Sequence, residues 1–217
     1  MSLKKETNSR KDNFSLFLIR LGLLFTGAAF VIFFFTFYPV LLEELKYALR
    51  DKSKSVVSDS KKKMKEIVPV DRDFGIVIPK IEANAKVMKN IDPFNEKIYQ
   101  IALTKGVAHA KGTALPGHVG NTFIFAHSSE DWYIANRYNS IFYLLHKLER
   151  GDEIDLYYKN QKYIYKVTEK KLVDSNAMQY LEDTGKNTST VTLMTCWPPG
   201  TTLKRLIVIG QISSLDK

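Results

Sequence analysis

The chain has 217 residues, of which 45% are hydrophobic and 25% charged, which suits one globular domain with an accessory segment. Its net charge of +9 could indicate nucleic-acid binding, but residues 1–70 carry 13 Lys/Arg against 7 Asp/Glu, so most of the excess is confined to that region and no nucleic-acid partner is predicted. The single cysteine, Cys196, excludes an intrachain disulfide and a cysteine-built zinc site.

The N-terminal third of the chain predicts a membrane anchor. A basic tail, residues 1–20, precedes the uncharged segment Leu21–Leu42, whose length suits a transmembrane helix of about 20 apolar residues. A cleaved signal peptide is the alternative, but the apolar run is long for one and no small-x-small cleavage site follows. Basic residues beside the run can meet anionic lipid headgroups. Residues 43–70 are polar and predict a part-helical stalk that becomes flexible.

From Asp71 onward the sequence alternates apolar and polar residues as short strands do. Two short helices are predicted at 95–103 and 141–148. Many short strands with two small helices predict a mostly β domain, residues 71–217, built as a closed or nearly closed β-barrel. The predicted strands are Phe74–Ile81, Ala85–Ile91, Gly120–His127, a hairpin of residues 152–160 and 162–173, Thr190–Cys196 and Arg205–Ile212.

Cys196 is the candidate nucleophile, although a lone cysteine is more often inert packing. It ends a predicted strand, and a reactive thiol needs a base or a cation beside it. We favour His127 as the base because it ends another buried strand, at the same kind of barrel rim. A structural histidine that caps the strand is the alternative reading. The other candidates are His109 in a loop, His118 in a turn and His146 in a helix.

Arg205 is the candidate cationic group. It begins the last predicted strand, after a Pro-Gly loop that returns the chain to the level of Cys196. A guanidinium there could donate to a developing oxyanion or hold a peptide carbonyl. The alternative is a surface arginine on an edge strand.

Three separated motifs resemble the sortase family. "TLMTC" followed by Arg205 nine positions after Cys196 resembles the family's TLxTC signature and arginine-led strand. "LPGHVGNTFIFAHSS" resembles its histidine segment, and "KLERGDEIDLYY" resembles the segment after it. The resemblance covers residues 71–217 with the motifs in family order. A single N-terminal span is closest to sortases that carry one N-terminal anchor.

The resemblance implies a closed eight-stranded β-barrel and a Cys-His-Arg site. Cys196 is then the nucleophile, His127 the acid/base, Arg205 the oxyanion-stabilising group, and Thr195 a border of the substrate groove. Such an enzyme cleaves a C-terminal, often LPxTG-like sorting signal of a secreted protein through a Cys thioester. It transfers the new carboxyl end to an amine of the cell wall or of another protein, with hydrolysis as a side activity.

The resemblance also implies a single-pass protein whose catalytic domain lies outside the cytoplasmic membrane. No cofactor or metal is predicted; a calcium ion is not indicated by acids such as Asp174, Glu182 and Asp183. Two alternatives remain. An L,D-transpeptidase would require Ser-His-Gly before the cysteine, where this chain has Met194-Thr195. A membrane-tethered β-barrel that only binds or adheres would have an unreactive Cys196.

Overall fold

The computed structural model describes residues 16–32, 34, 45, 67–128, 141–176, 180 and 187–216. The chain divides into two compact units, Met1–Lys61 and Lys62–Lys217. In the first unit, residues 16–32 form helix α1. Within the described ranges no helix combines the length and the apolar character that crossing a membrane requires. Outside those ranges lie residues 1–15 of the predicted basic tail, residues 33 and 35–42 of the predicted anchor, and residues 43, 44 and 46–66 of the predicted stalk.

The second unit is a closed barrel of eight strands in the order β1-β2-β3-β4-β7-β8-β6-β5, which confirms the predicted mostly β barrel with short helices. Six of the eight strand pairs are antiparallel, whereas β2–β3 and β4–β7 are parallel. Helix α2, Glu96–Leu103, lies in the β2–β3 connection. The strands are β1 Phe74–Ile78, β2 Ala83–Ile91, β3 Val107–Ala110, β4 Gly120–Phe125, β5 Glu153–Tyr158, β6 Gln161–Asp174, β7 Ser189–Trp197 and β8 Lys204–Asp216.

The core lies inside the barrel and under its flanking segments. Every residue of β1 and of β4 is buried, as expected of strands covered on both faces. Tyr165 of β6 is fully buried, and its hydroxyl hydrogen-bonds Ser189 of β7 at 3.0 Å and accepts the amide of Gly117 at 3.2 Å. Burial raises the pKa of this phenol. These contacts attach the loop before β4 to the barrel wall and so fix where β4 begins.

Gly117 is required in that loop for two reasons. Its φ of +81° lies in the left-handed region, and a Cβ there would fall 2.0 Å from the ring of Tyr163. No other residue type can adopt this backbone conformation and leave room for the ring.

The predicted hairpin is present, but Lys159 and Asn160, which were predicted to end its first strand, form a two-residue turn between β5 and β6. Both residues have positive φ, 51° and 64°, as a type I′ turn requires. The domain also begins before Asp71, because the side chain of Asn84 accepts the amide of Val70 at 2.9 Å and donates to the carbonyl of Val68 at 2.7 Å.

Several predicted elements have different bounds. The strand predicted at Phe74–Ile81 ends at Ile78, because Pro79 has no amide for the ladder and begins a 3-10 helix, Pro79–Ile81. The helix predicted at 141–148 is a 3-10 helix, Tyr143–Lys147, closed by i to i+3 bonds such as Leu148 N–H to Leu145 C=O at 3.2 Å. The strand predicted at Gly120–His127 ends at Phe125.

Strand β3 was missed by the sequence analysis, which placed His109 in a loop. Its four residues, Val107–Ala110, are all buried between β2 and β4. His109 is 2% exposed; its Nδ1 accepts the amide of Asn90 at 3.2 Å, and its Nε2–H donates to the carbonyl of Ala114 at 3.0 Å. Both ring nitrogens are therefore used structurally. Burial, with a smaller contribution from Lys89, lowers the pKa of His109.

We expect His109 to make folding less favourable in mild acid. Its folded-state pKa lies below the ordinary value of 6.5, so the unfolded chain binds the proton more readily. Its contribution to stability is complete above pH 6.5 and falls as pH drops towards the folded-state pKa, by at most about 1.4 kcal/mol per pH unit. Urea unfolding of the full chain in detergent, from about pH 7.5 to about pH 5, measures this slope.

The matched variants are His109→Gln and His118→Gln, since His118 is exposed in its turn. His109→Gln should lower the stability and flatten its pH dependence, whereas His118→Gln should leave the wild-type slope. Equal slopes in the wild type and His109→Gln would contradict the prediction.

Candidate active site

Cys196 and Arg205 are directly opposite each other in the antiparallel pairing of β7 and β8. The guanidinium Nη1 of Arg205 contacts the Sγ of Cys196 at 3.3 Å. The connecting loop includes a turn in which Thr201 donates its amide, at 3.0 Å, and its hydroxyl, at 2.8 Å, to the carbonyl of Pro198. The chain therefore returns in register and puts a cation beside the thiol.

Local contacts fix the guanidinium of Arg205. Its Nη1 also lies 3.3 Å from the carbonyl oxygens of Thr202 and Lys204. Cys196 and Arg205 are both partly buried, where a charge is less screened than at the surface. A fixed positive charge at this distance favours the thiolate, the nucleophilic form of a cysteine, over the thiol. β8 is not an edge strand in the closed barrel, so Arg205 is not the edge-strand surface arginine of the alternative reading.

His127 is placed by the parallel pairing of β4 and β7. Phe125 is paired with Met194, and continuing this register by two residues puts His127 level with Cys196. Ala126 continues the pairing beyond the strand, because its amide donates to the carbonyl of Met194 at 3.1 Å. The hydroxyl of Thr195 donates to the Ala126 carbonyl at 3.0 Å. Both backbone polar groups before the histidine are thus bound to β7.

Cys196, His127, Arg205 and Thr195 line a single cavity of about 190 Å³. The structure therefore brings the four sequence-predicted site residues together, while their chemical roles stay predictions. Thr195 is only 2% exposed, so most of its surface packs against neighbouring residues, and its hydroxyl is bonded to Ala126. The remaining lining residues are Pro93, Phe94, Tyr99, Gln100, Leu103, Phe123, Phe125, Ala126, Ser175, Met194 and Thr202.

The other three histidines do not line this cavity. His109 is buried in β3, and His118 is exposed in its turn. His146 contacts the carbonyl of Tyr143 through Nδ1 at 3.0 Å, and its ring lies 5.0 Å from that of Trp197. His146 thus packs beside the residue that follows the cysteine.

Gln100 of α2 is a site residue that the sequence analysis did not identify. Its Oε1 lies 3.0 Å from the Nε2 of His127. The helix was predicted, but a glutamine on an amphipathic helix carries no signal that it faces a histidine 27 residues later. Tyr99 and Leu103 of the same helix also line the cavity.

No group of three His, Cys, Asp or Glu side chains that could hold a metal ion occurs in the part of the chain that the structure describes. Asp174, at the end of β6, lies in that part, whereas Glu182 and Asp183 lie outside it. Trp132 and Tyr133, in the aromatic segment after His127, also lie outside it.

Known proteins that are similar to this chain in sequence and in fold belong to one family. The family model described as "Sortase domain" matches residues 76–213. Sortase A of Listeria monocytogenes serovar 1/2a (strain ATCC BAA-679 / EGD-e) is 26% identical over 142 residues, covering 65% of this chain and 57% of that protein. The chain therefore spans less than two thirds of the length of this curated relative.

Solved sortase structures share the fold. A crystal structure of Listeria monocytogenes sortase A has a TM-score of 0.54 at 23% identity, covering 68% of this chain and 91% of that one. An X-ray structure of Clostridium perfringens sortase C with the C-terminal cell wall sorting motif has a TM-score of 0.55 at 26% identity, covering 80% of this chain and 87% of that one.

We expect Thr195→Val to lower the reactivity of Cys196 by displacing His127. Valine fills the same space, but the carbonyl of Ala126 loses its hydroxyl donor, which should cost about 1 kcal/mol of stability. A displaced imidazole should slow alkylation of Cys196 by iodoacetamide near neutral pH about tenfold, because misplacement by a fraction of an ångström weakens coupling between the two groups. Mass spectrometry of the full chain in detergent measures the rate.

Thr192→Val is the matched control. Thr192 lies on the same strand, is equally buried, and donates its hydroxyl to Asn121 at 2.9 Å, away from the cavity. This variant should lose similar stability and keep the wild-type alkylation rate. Equal alkylation rates in the two variants would show that the Thr195 bond does not position the site.

Proposed function

The chain belongs to the sortase family, whose members are cysteine transpeptidases, and on that premise we propose that it is a membrane-anchored sortase acting on secreted proteins. The observation that carries the proposal is the 3.3 Å contact between Arg205 and Cys196, in a cavity that His127 also lines. A thiol, a cation and an imidazole around one cavity are the groups that covalent acyl transfer needs.

The proposed first step forms a thioester. The Cys196 thiolate attacks the carbonyl carbon of the scissile peptide bond, and the oxygen gains a negative charge that Arg205 stabilises. His127 in its protonated form donates a proton to the leaving nitrogen as the carbon–nitrogen bond breaks. The amine fragment departs, and the other fragment stays bound to the sulfur.

The proposed second step is transfer. An amine of the cell wall or of another protein attacks the thioester carbon while His127, now neutral, accepts its proton. The carbon–sulfur bond breaks, Cys196 leaves as thiolate, and a new amide is formed. Attack by water in place of the amine would release a carboxylic acid, the expected hydrolytic side reaction.

We infer that the substrate is a peptide of the sorting-signal class. The support is the C. perfringens sortase C that was solved with such a motif, and the lining of the cavity here. Phe94, Leu103 and Phe125 contribute apolar side chains to a lining that also includes Cys196, His127 and Arg205. Such a mixed lining suits a peptide with an apolar segment such as Leu-Pro near its scissile bond.

We expect Cys196→Ala to abolish both steps because no other thiol exists in the chain. The full chain in detergent is incubated with a library of sorting-motif peptides and a small amine, and products are read by mass. The wild type should show a peptide–enzyme adduct and a transferred product, and the variant neither, with a rate loss above about a thousandfold.

His127→Ala should be nearly as damaging, whereas the matched His118→Ala should keep wild-type rates. Substantial turnover by Cys196→Ala would exclude this nucleophile. Absence of any adduct in the wild type, with Cys196 inert to alkylation, would instead support a tethered binding protein.

We further propose that residues 21–42 anchor the protein with its catalytic domain outside the cytoplasmic membrane. The support is the uncharged 22-residue run and the basic residues on both sides of it. Residues 43–66 would then separate the bilayer from the barrel, since Val68 and Val70 are already bonded to Asn84 of β2. This placement matches the substrate, since a secreted protein exposes its C-terminal signal on that face.

Protease digestion of wall-stripped cells tests this orientation. We expect added protease to degrade the barrel, residues 67–217, while the membrane is intact, because an extracytoplasmic domain is accessible from outside. A cytoplasmic protein probed in the same sample is the control for intact membranes. Protection of the barrel until detergent is added would place it in the cytoplasm and make a sorting role untenable.

A further inference from the structure

Gln100 of α2 contacts His127, although in the sequence it precedes all three of the motifs that resemble the sortase family. Its Oε1 lies 3.0 Å from the Nε2 of His127, and both residues line the cavity. We propose that Gln100 is the positioning residue of His127: its carbonyl oxygen accepts the Nε2–H, orients the ring, and makes Nδ1 the nitrogen that exchanges protons with the reacting groups. This inference rests on the proposed acid/base role of His127.

The donor and acceptor roles follow from chemistry. An amide oxygen can only accept a hydrogen bond, so the imidazole nitrogen that contacts it must carry a proton. In the neutral ring this leaves the basic lone pair on Nδ1. In the charged ring Nε2 keeps its proton and its partner, so the bond to Gln100 persists through the whole proposed cycle while Nδ1 gains and loses a proton.

Gln100 can orient a ring because α2 is itself fixed. Asn95 caps the first turn by accepting the amide of Ile98 at 3.3 Å. The ring of Tyr99 packs edge-on against Phe125 of β4, with centroids 6.1 Å apart, and Leu103 is buried. The helix is thus held to the same strand that leads to His127. Gln100 is partly buried, which reduces competition from water for its hydrogen bond.

A neutral acceptor suits a histidine that must release its proton. A carboxylate at this position would stabilise the imidazolium and oppose proton transfer to the leaving amine. Among the residues that the structure describes, the other titratable or charged side chains that line the cavity are Tyr99 of α2, Cys196 of β7 and Arg205 of β8, and none of these is a carboxylate. Gln100 itself is neutral, so it orients the ring without adding negative charge.

Three variants of the full chain separate this role from a structural one. Gln100→Met keeps the length and helix preference of the side chain but removes the amide oxygen. Gln100→Glu keeps the shape and adds a charge. Lys97→Met is the matched control, since Lys97 is exposed on the same helix. Each is compared with the wild type for its imidazole nitrogen signals and its rate of peptide transfer.

The first readout does not depend on catalysis. Long-range ¹H–¹⁵N spectra of the protein in detergent distinguish protonated from unprotonated ring nitrogens, and the His127 signals are identified by their loss in His127→Gln. In the neutral form, the wild type and Lys97→Met should show Nε2 protonated and Nδ1 unprotonated. Gln100→Met should show a mixture of tautomers. A wild-type ring protonated on Nδ1, or no change in Gln100→Met, would overturn the proposal.

The second readout is kinetic. Gln100→Met should lower kcat by about 10- to 100-fold, the effect of a misoriented acid/base, with KM changed less than about threefold. Gln100→Glu should move the limb of the pH–rate profile that reports the His127 proton to higher pH by about one unit. Wild-type kcat and pH profile in both variants would overturn the proposal. A wild type that fails to transfer peptide, but has the expected nitrogen signals, would refute the proposed function while showing that Gln100 sets the tautomer of His127.

Discussion

The site depends on the parallel pairing of β4 with β7. This pairing makes His127 level with Cys196, although the two residues are 69 positions apart in the chain. It does not stop at the last strand residue, because the amide and the carbonyl of Ala126 are bound by Met194 and Thr195. Parallel strands need a long connection, and here the chain between β4 and β7 contains β5 and β6, which are themselves strands of the barrel.

The antiparallel pairing of β7 with β8 places the positive charge of Arg205 beside Cys196. The loop of six residues between these strands, Pro198–Leu203, would not by itself require Arg205 to face the sulfur. The direct pairing of Cys196 with Arg205 does. Barrel closure matters here too, since it places β8 between β7 and β6 and keeps the guanidinium partly buried. In such a setting a charge acts on its neighbour with less screening than it would in water.

Helix α2 makes a third contribution to the site, beside the two strand pairings. It stands in the β2–β3 crossover, packs on β4 through Tyr99 and Phe125, and brings Gln100 to the imidazole. The connection between the parallel strands β2 and β3 thus also supplies a site side chain, that of Gln100. The buried histidine of the neighbouring strand, His109, shows the contrast: both its ring nitrogens are bound to backbone groups, which makes it part of the fold.

The sequence by itself determined the mostly β barrel, the hairpin of β5 and β6, and the four residues that meet in the cavity, because alternation and the motifs around Cys196 are local signals. It did not determine β3, whose four buried residues read as a loop, or the 3-10 form of Tyr143–Lys147, since such short segments take their conformation from their neighbours. Only the tertiary structure decided that Gln100 meets His127 and that Thr195 binds Ala126, because contacts between residues far apart in the chain are set by strand register and helix packing, which leave no local pattern in the sequence.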